Sequence, residues 1–333
     1  IFACKPARLL SPFTIFAEHH GFGFFLRMEA RSGVILGAGS KDSGGGSSSG
    51  ISPGNAGDCL QDVINGKTMR YFIELRYNGG AYCGWQRQPD MPSVQQTIEG
   101  AISTLLREPI LLTGAGRTDT GVNASYYVAH FDTSSPVADP EQVVFKLNHM
   151  LPGDIAVSRI VPVAADAHAR FSAREREYRY YIEPRKNPFT RAASWQYYVP
   201  LDVAAMNRAA DVLMEYEDFT SFAKLNSDNK TNICHLKRAD WTVGRDGTLC
   251  FTIRADRFLR NMVRAIVGTL VDVGRGRYTV EQFRDIVASR DLSRSSAGAP
   301  AQGLFLSDVL YPPEVFVRET RLPALRYFSS VEK

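Results

Sequence analysis

Apolar and polar positions alternate from residue 71. Tyr71, Ile73, Leu75 and Tyr77 share one side, and Phe72, Glu74 and Arg76 the other, which predicts a half-buried strand. Asn78-Gly79-Gly80 ends it as a turn. Ser93 and Gln96 have the spacing of a capping box, and Val94, Ile98, Ala101, Ile102 and Leu105 form the buried stripe of the helix behind them. Alternation returns at 125–131, where Tyr126, Val128 and His130 interleave with Tyr127, Ala129 and Phe131. Asp139-Pro140 opens a second helix, which runs to Leu147-Asn148 and is broken by Leu151-Pro152. Residues 155–161 read as a short strand.

The second half of the chain shows a similar order. Tyr178, Tyr180 and Ile182 share one strand face, and Arg179 and Tyr181 the other. Asp202 caps a helix whose inward positions are Val203, Met206, Ala210 and Leu213. Two alternating strands, 236–243 and 249–255, are joined through the hairpin signal Asp246-Gly247. Met262, Ile266, Leu270 and Val273 predict a helix over 258–273, with Arg257, Asn261, Arg264 and Gly268 along another stripe and Gly274 as its stop. Thr279 with Gln282 caps one more helix. Strands and helices in this order predict an α+β fold, with ferredoxin-like units carrying helices on one face of an antiparallel sheet.

Length and charge narrow the class. At 333 residues the chain can bury a large core and hold two units. A net charge of +4 permits a nucleic-acid partner without demanding one. Five scattered cysteines, with no Cys-x-x-Cys, argue against a structural zinc site or a disulfide framework and fit a reducing cytoplasm. No apolar run is long enough to span a bilayer. Residues 40–54 are rich in Gly and Ser and read as linker. The apolar patch at 13–26 is interrupted by Glu18, His19 and His20, which speaks against a secretion signal.

The chemistry concentrates in one loop, Gly114-Ala115-Gly116-Arg117-Thr118-Asp119-Thr120-Gly121-Val122-Asn123-Ala124. Its glycines allow close backbone approach or positive φ. Arg117 and Asp119, two apart, can supply phosphate or base binding and a carboxylate for chemistry; a surface turn with an incidental ion pair is the plain alternative. A dinucleotide fingerprint is poorly matched by Gly114-x-Gly116, because its third glycine position is Asp119 and a strand, not a helix, follows. Two aromatic stretches could face a nucleotide. Trp85, in Tyr82-Cys83-Gly84-Trp85-Gln86, is more in keeping with a core position than with base stacking. Aromatics interleaved with bases at 176–182 suit either a base-stacking surface or a cross-strand ladder.

The loop closely resembles the signature of the tRNA pseudouridine synthase A family, Gly-Arg-Thr-Asp-x-Gly-Val-x-Ala. Further matches are Tyr77-x-Gly79, Gly84-Trp85-Gln86, Ser93-Val94-Gln95, Leu147-Asn148 with Leu151-Pro152, Arg176-x-Tyr178-x-Tyr180, Asp218-Phe219-Thr220-Ser221-Phe222, Met262-Val263-Arg264 and Gly303-Leu304-Phe305-Leu306. The resemblance implies a pseudouridine synthase fold: two ferredoxin/RRM-like halves whose strands join into one mixed, mainly antiparallel sheet with a central cleft. It begins at Met69, so residues 1–68 are expected to be an extension outside the family, disordered or linker. The halves would be 69–173, carrying the catalytic Asp, and 174–316, with a tail at 317–333.

The resemblance further implies an isomerase that converts uridines 38–40 of tRNA to pseudouridine. Asp119 would be the catalytic carboxylate, acting as nucleophile or as stabiliser of a cationic sugar. Arg264 would pair with it, Tyr178 would lie against the uracil, Leu304 would pack on the base, and Arg117 would occupy the space left when the base turns out. Arg87, Arg170, Arg174, Arg176, Arg179, Arg257 and Arg260 would track phosphates. The family needs no cofactor and no metal, binds the anticodon arm of tRNA, works as a homodimer in the cytoplasm and does not engage membranes. Three departures stand out: Thr120 replaces an Ala, Asn123 a His, and Ala167 a Phe. Thr120 and Asn123 motivate one alternative, a tRNA-binding chaperone with weak or no catalysis.

Overall fold

A computed structural model describes residues 68–224 and 231–317. The expectations for the N-terminal extension and the C-terminal tail fall on residues 1–67 and 318–333, outside the described residues.

The first half supplies strands β1 (Met69–Tyr77), β2 (Thr113–Gly114), β3 (Asn123–Thr133) and β4 (Ile155–Pro162). Helices α1 (Val94–Leu106) and α2 (Pro140–Met150) lie between them. Ser93 and Asp139 cap these helices as their spacing predicts, accepting from the amides of Gln96 and Gln142. The second half supplies β5 (Glu175–Glu183), β6 (Trp195–Gln196), β7 (Leu236–Val243), β8 (Leu249–Ala255) and β9 (Leu304–Leu310). Its helices are α3 (Val203–Leu213), α4 (Met262–Gly274) and α5 (Val280–Ala288). The hairpin β7–β8 turns through Gly247 at φ +85°, a conformation that favours glycine.

Among the described residues the nine strands form one sheet, in the order β4-β1-β3-β9-β5-β8-β7, with β2 on β3 and β6 on β5. The α+β class and the joined sheet are as expected. The seam is short. β3 and β9 run parallel for two register pairs, Asn123 with Phe305 and Ala124 with Leu306. The other pairings of the main path are antiparallel.

Two apolar clusters flank this seam. One gathers Phe72, Ile98, Tyr127, Phe131 and Leu147; the other gathers Tyr180, Phe222, Phe251, Ile266 and Phe283. Strand β9 feeds both, Leu306 and Val309 into the first and Leu304 into the second. Fully burying side chains of this size contributes on the order of 2–3 kcal/mol each, which stabilises the seam although few backbone bonds cross it.

One element differs from its sequence expectation. The helix expected over 258–273 begins only at Met262. Asn261 sits at φ +67° in the left-handed region, and the Met262 amide closes a turn onto the Leu259 carbonyl. Asn tolerates that region better than most residues, whereas an apolar period reports nothing about it. Arg257 and Arg260 therefore lie ahead of the helix, and only Arg264 is carried on it.

Candidate active site

The signature loop is fixed from beneath by aromatic side chains. Trp85 and Tyr127 stack with centroids 4.1 Å apart, and Tyr77 packs edge-on against Tyr127. Trp85 is 3% exposed, so it is a core residue and not a base platform. A Cβ on Gly114 would stand 2.1 Å from the Tyr127 hydroxyl and 2.6 Å from Trp85 Nε1, so only glycine fits where the chain leaves β2. The Tyr127 hydroxyl donates to the Gly116 carbonyl, and the Ala115 amide to Val128 O at 2.8 Å.

Thr118 is buried, its hydroxyl 2.8 Å from that of Tyr77. Its carbonyl accepts from the Trp85 amide at 3.3 Å, across Gly84 at φ +89°. Past Asp119 the loop is held by the Val122 amide on Asp119 O, 3.1 Å, and the Gly121 amide on Tyr82 O, 3.3 Å. Asp119 thus sits between two anchored residues, with its side chain 31% exposed. Arg117 lies exposed in the same loop.

Asn123 closes the loop from the other side. It is 1% exposed. Its Oδ1 accepts from the Gly79 amide and its Nδ2 donates to Gln302 O, both at 2.8 Å. Gly79 belongs to the first half and Gln302 leads into β9, so this one amide ties the halves together at the loop. Where a His is usual, Asn123 uses both ends of a neutral amide, one donating and one accepting.

From the second half, Tyr178 on β5 is stacked edge-to-face on Phe258, with centroids 5.0 Å apart. Burial pushes its hydroxyl up to about 12; the charge of Arg176 opposes the shift, and the carboxylate of Asp119 adds to it. Tyr178 and Asp119 therefore lie within each other's field.

The ion-pair partner of Asp119 differs from the expected one. It is Arg260, whose Nε stands 3.5 Å from Asp119 Oδ1. The Nε of Arg264 instead donates to Ala299 O at 2.6 Å, and the Ala299 amide returns a bond to Arg264 O at 2.9 Å. In sequence Arg260 reads as a phosphate contact only; the signal for its nearer role is Asn261, a residue able to break the helix in front of Arg264. Leu304, paired with Tyr180 in register, is buried in the second cluster.

Of the other expected phosphate contacts, Arg87, Arg174, Arg176 and Arg179 are all bonded to groups of the protein itself. Arg176 donates to four carbonyls: Ala173 and Asp256 from Nη1 and Ala115 and Arg170 from Nη2. Desolvation by burial pulls its pKa down, although Tyr311 and Tyr178 nearby oppose this. A half-buried strand Arg reads as a solvent contact in sequence, but here it cross-braces loops. Arg87 is bonded to the buried Glu99.

A family model described as tRNA pseudouridine synthase matches residues 210–312. The chain is 53% identical over 259 residues to a tRNA pseudouridine synthase A of Bacteroides thetaiotaomicron, covering 77% of this chain and 96% of that one. The protein of the same name from Parabacteroides distasonis is 52% identical over 248 residues, covering 74% and 98%. The chain belongs to the tRNA pseudouridine synthase A family. Membership in this family makes the chain an isomerase enzyme, as the sequence expectation has it.

Proposed function

We propose that this protein converts uridine to pseudouridine in tRNA, at positions 38–40 of the anticodon arm, with Asp119 as the catalytic carboxylate. The observation that carries the reading is the setting of Asp119. A partly open carboxylate stands on a loop anchored on both sides, within 4 Å of one guanidinium and in the field of a half-buried tyrosine.

That setting suits the chemistry. The reaction breaks N1–C1′, turns the base, joins C5 to C1′, removes the C5 proton and leaves a proton on N1. A carboxylate can add to an electrophilic carbon or balance the charge of a sugar cation. Arg260 orients the carboxylate through the ion pair. Tyr178 offers a ring face for the uracil. Its hydroxyl is un-ionised at neutral pH, so it serves as hydrogen-bond partner or proton relay, not as a standing phenolate base. Arg264 holds the segment ahead of Leu304, and Arg117 enters the space of the turned-out base. The relatives' names supply tRNA as the substrate class; the family resemblance supplies the homodimer, the cytoplasmic setting and a reaction without cofactor or metal.

Asn123, the main motive for a non-modifying tRNA chaperone, does not favour that alternative. Its two hydrogen bonds are structural and leave the carboxylate untouched. The test is incubation with unmodified tRNA transcripts, followed by carbodiimide treatment and reverse transcription. New stops at positions 38–40 are expected; tRNA binding without any stop would favour the chaperone.

A further inference from the structure

Beside the signature loop lies a second loop, His168-Ala169-Arg170-Phe171-Ser172, which presents an aromatic ring to solvent. Phe171 is 75% exposed. Exposed phenylalanines occur elsewhere on this surface, but this one stands on a loop with dense internal bonding. The Arg170 and Phe171 amides both donate to His168 Nδ1, at 3.1 and 3.2 Å. The His168 amide donates to Ser172 Oγ at 3.0 Å, and the Ser172 amide to His168 O at 2.9 Å. Tyr311 donates to Ala169 O, and the Ala169 amide to His130 Nδ1 at 3.1 Å. The His168 ring, kept neutral mainly by burial, packs against Phe171 from one side, with centroids 4.4 Å apart.

Two further features give the ring a chemical context. The Arg170 guanidinium carbon stands 5.5 Å from the Phe171 centroid, and Arg170 makes no ion pair among the described residues. The loop is also coupled to the candidate active site. One nitrogen of Arg176 bonds both Arg170 O and Ala115 O, and Ala115 opens into the loop that carries Asp119. An apolar ring held in water by a locked loop, with a cation beside it, is what an unstacked nucleobase and its phosphate would meet: a π-face to stack on and a charge to pair with.

We propose that Phe171 is a stacking platform for an unpaired base of the bound RNA, with Arg170 taking the neighbouring phosphate. Phe171 is thus a binding residue outside the reacting centre, and the inference rests on the reading of the protein as a tRNA-modifying enzyme. Stacking of one base on an aromatic side chain contributes enough that its loss weakens binding about tenfold or more.

The test uses the full chain and unmodified tRNA transcripts carrying 2-aminopurine at each loop purine in turn. Wild type is expected to change the fluorescence of at least one probe position. Phe171→Ala should abolish that change, raise KM for tRNA about tenfold and leave kcat at saturating tRNA near wild type, while Phe171→Trp restores both signals. Its melting temperature should match wild type, because the ring is mostly in solvent. Wild-type KM and unchanged fluorescence in Phe171→Ala would overturn the platform while pseudouridine formation stood. A melting temperature several degrees lower would also overturn it, in favour of a structural role. Probe changes that depend on Phe171 without any pseudouridine would keep the platform and remove the enzymatic reading. No binding of tRNA at all would overturn both.

Discussion

Arg260 and Asp119 form an ion pair across the two halves of the molecule, with Nε 3.5 Å from Oδ1. The arginine lies in the turn ahead of α4, not on the helix, because the left-handed Asn261 separates it from Arg264. The two arginines thus have different work: Arg260 meets the carboxylate, and Arg264 clasps the 299 segment. Arg260 is 60% exposed, so Arg260→Ala should leave stability within ~0.5 kcal/mol of wild type. It should lower kcat/KM about tenfold, equivalent to ~1.4 kcal/mol of transition-state stabilisation. Arg264→Ala should lower activity and also cost ~1–2 kcal/mol of stability, since Ala299 O loses its charged donor. Urea denaturation alongside kcat/KM separates these. A stability loss in the first variant with none in the second would reverse the two roles.

The buried amide of Asn123 gives a sharper stability prediction. Asn123→Ala removes two hydrogen bonds and leaves the Gly79 amide and Gln302 carbonyl without their side-chain partner. The expected cost is ~2–4 kcal/mol, read as a lower urea midpoint at unchanged slope. A cost below ~0.5 kcal/mol would show that the amide does not hold the seam.

These two cases also show what the chain discloses before it folds. Strands with an alternating pattern, such as β7 and β8, and helices opened by Asp139, Asp202 or Thr279, were legible because both faces and caps are local properties. The loop that carries Asp119 was legible because it is a contiguous, glycine-rich motif. The roles of Arg260 and Arg176 were not, because Asp119, the partner of Arg260, and two of the four partners of Arg176, Ala115 and Asp256, lie far away in sequence. A positive φ at Asn261 decided the first, and four convergent carbonyls the second. Nor does the sequence say that Asn123 faces inward, since a polar residue beside a loop reads as exposed until the parallel seam with β9 covers it.

His130 predicts a pH dependence of stability. Burial, with Arg70 and His168 beside it and only Asp132 opposing, pulls its pKa from 6.5 down to about 4. Its Nδ1 accepts from the Ala169 amide, so the folded state requires the neutral ring there. Because the folded value lies below the unfolded one, the unfolded chain binds the extra proton first. This contribution is present in full above pH 6.5 and is lost as pH falls towards 4. His130→Asn should therefore flatten the fall in stability between pH 7 and 4.5. The check is a comparison of urea midpoints at both pH values, and parallel curves for wild type and variant would contradict it.

The measurement that bears most directly on the central claim is the pairing of chemistry with binding in Asp119→Asn. The substitution is nearly isosteric, and the loop around it is held by Thr118, Gly121 and Val122 through bonds that do not use the carboxylate. The amide is a poor nucleophile and cannot balance a sugar cation. Binding draws on basic contacts spread over a larger surface, so it should persist and weaken with salt as in wild type. Tritium release from C5-labelled tRNA should fall below about a thousandth of the wild-type rate, a loss of ~4 kcal/mol or more. Filter binding at two salt concentrations should give affinities at least as tight as wild type. Turnover within tenfold of wild type, once deamidation back to Asp is excluded, would show that Asp119 is not the catalytic carboxylate.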